Sequence, residues 1–466
     1  MQIEDFKNIY FVGIGGIGMS AIARYFHSIG KNVYGYDRTS TQLTDELISE
    51  GIGITFEDEL DCIPQMYASQ ESTLVVYTPA IPKDHQQLNY FKENQFVIMK
   101  RSQVLGLLSD GLNGVGIAGT HGKTTVSTIT AHVFKNSTLD CNAFLGGISR
   151  NYQSNLLLSK ESPWVILEAD EFDRSFLQLH PQIALVTSMD ADHLDIYGDK
   201  SELEKSFQEF VNQIKKGGTL VYKKDLPLST EGIISYTYSL EEEADFYAKN
   251  LELIEGFYKF DLIHPEGTIE NLQFSYPGKI NLENAVAASS VAILSGVNEE
   301  ELRKALATFK GVRRRFDYQI REENLVFIDD YAHHPKELKE SISSVRAIYP
   351  GKKITGIFQP HLYTRTRDFA EGFAESLNLL DEVILLDIYP ARELPIEGVT
   401  SGIIYKNLNV PALECKKDEL LEIVKGKEFE VLLTLGAGDI DKLVEPIKNI
   451  LSERLIGCPD IYRKDE

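Results

Sequence analysis

Gly119-Thr120-His121-Gly122-Lys123-Thr124-Thr125 follows the apolar run Gly114 to Ala118 (GVGIA) and precedes Val126 to Phe134, a stretch compatible with a helix. A buried strand that turns through glycines into a helix is the layout of a phosphate-binding loop. The glycines let backbone N–H groups face phosphate oxygens, Lys123 brings a mobile positive charge, and the Thr124 hydroxyl can ligate a magnesium ion bridging the phosphates. Packing alone gives no reason to put a lysine and two threonines at the mouth of a helix, so the reading is a nucleoside triphosphate site rather than a plain strand-to-helix turn. Ile117 stands where the common G-x-x-x-x-G-K-[ST] pattern has its first glycine. The loop is therefore shorter than usual.

Upstream lies a second turn of the same kind. Asn8 to Asp37 reads NIYFVGIGGIGMSAIARYFHSIGKNVYGYD, with Gly13, Gly15 and Gly18 forming G-x-G-x-x-G between an apolar strand and a helix, and Asp37 closing the next strand. That spacing predicts a dinucleotide-type fold with a ribosyl diphosphate on the helix N-terminus, without identifying NAD. A nicotinamide-dependent dehydrogenase is the alternative these four residues allow, and tight helix-strand packing with no ligand is another. The dehydrogenase reading leaves the phosphate loop unexplained.

Downstream, two apolar strands run into acids: Trp164 to Leu167 into Glu168-Ala169-Asp170-Glu171, and Ile183 to Met189 into Asp190-Ala191-Asp192-His193. Parallel sheets gather ligands just outside their carboxyl edge. Glu168 suits a magnesium-binding carboxylate beside Thr124, whereas a second metal near His193 would have to accept an imidazole. For Asp170, Glu171, Asp190 and Asp192, helix capping and surface charge stand beside a functional role. Tyr258, Phe260 and Leu262 alternate with Lys259 and Asp261, which predicts a short antiparallel sheet within Asp245 to Ser275. From Gly311 the alternation returns, with apolar runs at Leu325 to Ile328, Ile354 to Phe358, Val383 to Leu386 and Val431 to Leu435, followed by DDYAHHP, QPHLYTRTR, DIYPARE and GAGDID.

The expected fold is therefore α/β in three domains. Residues 1–103 are expected to form a Rossmann-like domain that holds a ribosyl diphosphate, and 104–310 a phosphate-loop domain whose parallel sheet is joined by a small antiparallel one. Residues 311–466 form a second Rossmann-like domain. A chain of 466 residues with 43% hydrophobic and 25% charged residues fits a multidomain globular enzyme. A net charge of -23 argues against a nucleic-acid surface, although Arg313, Arg314 and Arg315 make a local basic cluster. Cys62, Cys141, Cys415 and Cys458 are far apart without a CxxC pair, which suggests neither zinc nor disulfides. No apolar run has membrane-spanning length, and the opening MQIEDFKNIYFVGIG carries no cationic leader, so the expected location is the cytoplasm.

Taken together, GTHGKTT, EADE, DADHLD, Asn281-Leu282-Glu283-Asn284, Arg314-Arg315-Phe316 and Asp329 to Pro335 (DDYAHHP) resemble the Mur ligase family of peptidoglycan synthesis. The match runs nearly end to end, and the shortened phosphate loop is characteristic of that family. VGIGGIGMS, FQPHLYTRTRD at Phe358 to Asp368 and IYPARELPIEGVTS at Ile388 to Ser401 extend it. The resemblance implies that ATP phosphorylates the lactyl carboxylate of UDP-N-acetylmuramate and that the amine of L-alanine then captures the acyl phosphate, in a cytoplasmic step of cell-wall synthesis. Mg2+, replaceable by Mn2+, is the implied metal. Gly119, Thr120, His121, Gly122, Lys123, Thr124 and Thr125 would hold ATP, with Asn281 and Asn284 near the adenine, Asp330 facing the ribose and Arg315 approaching the γ-phosphate. Lys123, Glu168, His193 and Arg315 would be catalytic, and Thr124, Glu168 and His193 would serve the metals. Gly13, Gly15, Gly16, Ile17, Gly18, Met19 and Asp37 would hold the UDP sugar. Tyr331, His333, His361 and Arg365 would form the amino-acid and acyl-phosphate pocket. The implied partners are these small molecules alone, with no nucleic acid and no membrane, for a monomer or weak dimer.

The nearest rival attaches a recycled tripeptide to the same nucleotide sugar. This sequence departs from the family pattern at Leu362, where many relatives carry Arg, at Ser188, where Asn is frequent, and at Asp387, where Glu is common. Later ligases of the family bind metal through a carbamylated lysine. Lys205 is out of register for that role, and no such modification is expected.

Overall fold

The computed structural model of the chain describes residues 3–190, 197, 199–254, 256–391 and 393–457. It divides into two compact units: Met1–Leu253, Tyr258–Ser275 and Leu282–Lys310 in the first, and Ile254–Phe257, Tyr276–Asn281 and Gly311–Glu466 in the second.

The first unit begins with five parallel strands, β1 (Asn8–Val12), β2 (Asn32–Tyr36), β3 (Gly53–Thr55), β4 (Thr73–Tyr77) and β5 (Val97–Lys100), ordered β3-β2-β1-β4-β5. Their helices include α1 (Ile17–Ser28), α2 (Gln42–Ser49), α3 (Gln86–Glu93) and α4 (Arg101–Ser109). After Asn8, strand β1 reads as an unbroken hydrophobic and aromatic run because both faces are covered: Ile9 and Phe11 join one buried cluster, Tyr10 and Val12 another.

A seven-stranded sheet follows, built from β6 (Asn113–Ala118), β7 (Asn142–Ser149), β8 (Ser154–Leu157), β9 (Trp164–Glu168), β10 (Ile183–Val186), β11 (Thr219–Lys223) and β12 (Ile234–Tyr238), in the order β12-β11-β10-β6-β9-β7-β8. Helix α5 (Lys123–Lys135) leaves the end of β6, and α6 (Lys200–Asn212) precedes β11. The apolar cluster of the first sheet continues without a break into this one through Phe144, Val165, Leu167, Phe176 and Phe207. Strands β13 (Tyr247–Ile254), β14 (Phe257–His264) and β15 (Gly267–Phe274) make the expected small sheet, in which β14 and β15 pair antiparallel. Tyr258, Phe260 and Leu262 point to its buried face. Helices α7 (Lys279–Leu294) and α8 (Glu299–Thr308) come next.

The second unit carries β16 (Asp317–Arg321), β17 (Val326–Asp330), β18 (Ile354–Phe358), β19 (Glu382–Leu386), β20 (Ala412–Cys415) and β21 (Val431–Leu435), ordered β16-β17-β21-β18-β19-β20. Only β16 runs antiparallel to its neighbour. Helices α9 (Pro335–Ile348) and α10 (Tyr363–Asp368) follow β17 and β18.

The expected α/β architecture is present, with three local differences. Helix α5 begins at Lys123, earlier than the apolar run suggested, because Gly122 sits in the left-handed region at φ 83° and turns the chain straight into the helix. Strand β10 stops at Val186, short of Met189, because Thr187 and Ser188 leave the sheet to bond the phosphate loop. The hairpin β7–β8 had no sequence forecast.

Candidate functional site

Parallel register brings the carboxyl ends of β6, β9 and β10 level: Ile117 lies beside Glu168, and Ala118 beside Val186. The loop between β6 and α5 is held from the β10 side. Ser188 Oγ accepts the His121 N–H at 2.8 Å and lies 3.0 Å from Thr120 Oγ1, which in turn accepts the Asp190 N–H at 3.1 Å. Thr187 Oγ1 donates to the His121 carbonyl. On the other side, a Cβ at Gly122 would come within 2.8 Å of Asn284 Oδ1, so α7 presses an amide against the last glycine of the loop. Asn281, one turn earlier on α7, donates to the Pro277 carbonyl at 2.6 Å.

Lys123 carries the charge of the loop. Its Nζ donates to the Gly119 carbonyl at 2.6 Å and lies 2.7 Å from Glu171 Oε2, with 14% of its side chain exposed and 1% of Glu171's. Burial alone would push this ammonium down, but Glu171, Asp170 and Glu168 outweigh it and hold its pKa above the ordinary lysine value. Glu171, for which surface charge was one reading, is thus the buried counter-ion of the loop lysine.

Glu168 ends β9 and faces β7 so closely that a Cβ at Gly146 would lie 2.0 Å from its Oε2. Any side chain at position 146 would evict the carboxylate. Glu168 and the buried Thr124 offer oxygens, the donors magnesium takes. Among the described residues no group of three or more His, Cys, Asp and Glu forms a metal cage. Asp192 and His193 lie outside the described residues.

In the first sheet, Gly13 takes φ 90° and the Gly15 N–H donates to Asp37 Oδ2 at 2.7 Å. Asp37 therefore braces the glycine loop itself. Gly16 caps α1 without a side-chain bond, which leaves the helix N-terminal amides facing outward. A cavity of about 210 Å³ lies between this loop and the central sheet; Gly16, Ile17, Gly18 and Met19 line it from the loop, Gly146 and Glu168 from the sheet, and Arg101 from α4.

The second unit, taken by itself, groups most of its predicted residues. Asp330 ends β17, where Ser341 Oγ donates to it at 2.6 Å and burial raises its pKa above the usual carboxylate range. Its neighbour Asp329, also buried, is pushed up to about 6, with Arg314 and the Thr434 hydroxyl opposing that shift. The Tyr331 ring lies 4.7 Å from the Arg315 guanidinium carbon and 5.2 Å from the His333 ring. His333 continues to His361 at 6.1 Å, and His361 stacks on Tyr389 at 5.8 Å. Arg365 is buried on α10, four residues after His361. Leu362 holds a positive φ of 68° just before that helix.

Three family models tile the chain: the Mur ligase family catalytic domain over residues 8–111, the Mur ligase middle domain over 117–292, and the Mur ligase glutamate ligase domain over 314–438. The chain belongs to the Mur ligase family. A relative from Parabacteroides distasonis named UDP-N-acetylmuramate--L-alanine ligase is 52% identical over 459 residues, covering 98% of this chain and 99% of its own. One of the same name from Cytophaga hutchinsonii is 45% identical, covering 97% and 99%. The crystal structure of the UDP-N-acetylmuramate-alanine ligase of Thermotoga maritima superposes with a TM-score of 0.82 at 26% identity, over 97% of this chain and 99% of that one. A murein peptide ligase from Psychrobacter arcticus shares the fold, with a TM-score of 0.69 at 19% identity over 98% and 100%.

In this Mur ligase, sequence reading missed the residues that support the named ones. Gly146 carries no local signal of its own, and Tyr389 stands in the DIYPARE loop with no role read for it. Asn155 is fully buried on β8; its Nδ2 donates to the Ile17 carbonyl at 2.6 Å and to Ser20 Oγ at 2.9 Å, and its Oδ1 accepts from Arg24 Nη1 at 2.6 Å. It ties the first turn of α1 to the central sheet across more than a hundred residues of sequence.

Proposed function

We propose that this Mur ligase joins L-alanine to the lactyl carboxylate of UDP-N-acetylmuramate, spending ATP and releasing ADP and phosphate. The observation that carries the reading is the cavity running from the glycine loop to Glu168, with the lysine loop on the adjoining strand. A sugar nucleotide held by its diphosphate at one end presents its carboxylate at the other. Relatives of that name across the whole chain support the same substrates.

In this reading Gly13, Gly15, Gly16, Ile17, Gly18 and Met19 hold the UDP diphosphate, and Asp37 braces the loop. The loop from Gly119 to Thr125 holds the triphosphate, and Lys123 steadies the transferring phosphoryl group. Magnesium, which manganese can replace, would be held by Thr124 and Glu168, with His193 assigned to a second ion, and supplies neutralisation of phosphate charge. A carboxylate oxygen of the sugar takes the γ-phosphoryl group as its bond to ADP breaks. The alanine nitrogen then adds to the acyl carbon, and the tetrahedral centre collapses by losing phosphate. From the second unit, Asn281 and Asp330 are assigned to the nucleoside and Arg315 to the γ-phosphate, while Tyr331, His333, His361 and Arg365 take the amino acid and the acyl phosphate. Asn284 is assigned, like Asn281, to the adenine. Such an enzyme works in the cytoplasm beside its soluble nucleotides, as a monomer or weak dimer. Among the described residues no helix is long and apolar enough to cross a membrane.

The test is the mass of the product from UDP-N-acetylmuramate, ATP and magnesium with either L-alanine or the recycled tripeptide. An amide product with L-alanine, accompanied by ADP, is expected. Product from the tripeptide alone would assign the chain to recycling, and ATP consumption without any amide would reject ligation.

A further inference from the structure

We propose that Arg101 reads the lactyl carboxylate of the sugar nucleotide and so separates UDP-N-acetylmuramate from UDP-N-acetylglucosamine, which lacks the lactyl group. The inference rests on the function proposed above and adds to it the residue that sets substrate choice.

Four observations carry it. Arg101 is the one cation among the described residues that line the cavity between the glycine loop and Glu168. Its Nη1 packs against the third glycine of that loop, where a Cβ on Gly18 would lie 2.6 Å away. Nη2 reaches Asp170 Oδ2 at 3.3 Å, with 19% of the arginine side chain exposed. That is its one hydrogen bond or ion pair among the described residues, so most of the donors of its five-donor fork have no protein acceptor beside the cavity it lines.

The charge pattern says what the fork is for. Arg101 is the first residue of α4, where the helix dipole disfavours a cation unless an anion lies near. A substrate carboxylate entering this cavity meets Glu168 and Asp170, and Lys123 is already engaged by the buried Glu171. Arg101 is the cation in position to offset that repulsion, and a planar guanidinium matches a carboxylate with two parallel bonds. The diphosphate belongs to the amides at the start of α1, whereas Arg101 spans from Gly18, against which its Nη1 packs, to Asp170, two residues beyond Glu168.

The test is calorimetric titration of the full chain, without ATP or divalent metal, using UDP-N-acetylmuramate, UDP-N-acetylglucosamine and UDP. The wild type is expected to bind the muramate about 30-fold or more tightly than the glucosamine sugar, the range for a charge-assisted pair. Arg101→Met should bring the two sugars within about threefold of each other while UDP affinity stays unchanged, which also shows that the cradle is intact. Arg101→Lys should recover part of the preference and raise KM for the muramate sugar with KM for ATP unmoved. Equal weakening of all three ligands in Arg101→Met would place the arginine on the diphosphate and overturn the proposal. A variant that keeps the full preference, or a wild type that shows none, would overturn it while leaving ligation to the product assay. A wild type that binds neither sugar would reject the underlying function as well.

Discussion

The loop after β1 and the loop after β6 both turn a buried parallel strand through glycines into a helix, yet they handle charge in opposite ways. The first has no cation of its own; an aspartate, Asp37, takes one of its N–H groups and a bare N-terminus of α1 faces the cavity. The second carries Lys123 inside it, paired with a buried glutamate. A diphosphate that stays intact needs only fixed dipoles, whereas a phosphoryl group that changes partners needs a charge that can follow it. The helices repeat the contrast. Helix α1 buries a charged arginine, Arg24, whose Nε and Nη2 bond Glu50, while α5 buries a histidine, His132.

The largest effect should come from removing the charge of the second loop. Lys123→Ala is expected to lower turnover about 100-fold or more. It also strands Glu171 in the interior, which costs on the order of 3–5 kcal/mol for a broken buried pair. Thermal melts should therefore show Lys123→Ala well below wild type, and the double variant with Glu171→Gln should recover stability without recovering turnover. If the double variant regains activity, the lysine serves the fold and not the phosphoryl group.

The helices predict the pH response. His132 is buried, with its Nδ1 2.9 Å from the Tyr152 hydroxyl and its Nε2 3.1 Å from Thr308 Oγ1. Burial pushes its pKa down to about 4 from an ordinary 6.5. The unfolded chain therefore binds this proton first, so stability is fully present above pH 6.5, falls as pH drops from 6.5 toward 4, and levels off below that. The total is about 3 kcal/mol. Denaturant unfolding across that range should show this slope in wild type and a flatter one in His132→Gln; equal slopes would remove the imidazole from the account.

Next comes the joint between the two loops. Asn155→Ala removes three hydrogen bonds and leaves Arg24 Nη1 and the Ile17 carbonyl without that partner. A loss of about 2 kcal/mol is expected, together with a raised KM for the sugar nucleotide and an unchanged KM for ATP, since the amide holds α1 and not α5. Steady-state kinetics with each substrate varied would check the split. Equal changes in both constants would mean that the joint sets the whole unit rather than the first cradle.

Where sequence reading worked and where it stopped follows from the range of the interactions. Both glycine loops were legible because strand, turn and helix are contiguous and each residue type has a local reason. Strands β18 and β21 run from Ile354 to Phe358 and Val431 to Leu435 as expected, since buried parallel strands read as nearly continuous apolar runs, here interrupted only by small or threonine residues. Asn155, Arg101 and Gly146 act on residues far away in the chain, and nothing beside them in the sequence announces it. Gly146 and Gly147 even argue against a strand, and β7 tolerates Gly146 because the Glu168 carboxylate fills the space its Cβ would take. Glu171 was visible within the EADE block, but which of three neighbouring acids faces the lysine depends on how the chain turns after β9.

The smallest expected effect sharpens the same contrast between fixed and mobile charge. Lys205 lies on α6, 65% exposed, with its ammonium 2.6 Å from Glu202. The pair spans i to i+3 on a solvated face, where such contacts contribute little. A carbamylated lysine acting as a metal ligand would need to stand at the carboxyl edge with Glu168, and an exposed ammonium tied to its own helix has no reason to lose its charge. Lys205→Ala should therefore leave turnover within about twofold at any bicarbonate concentration, the range of a neutral surface change. A large loss that bicarbonate influences in the wild type alone would show that the second loop recruits a third charge, and that its electrostatics do not end with Lys123 and its acids.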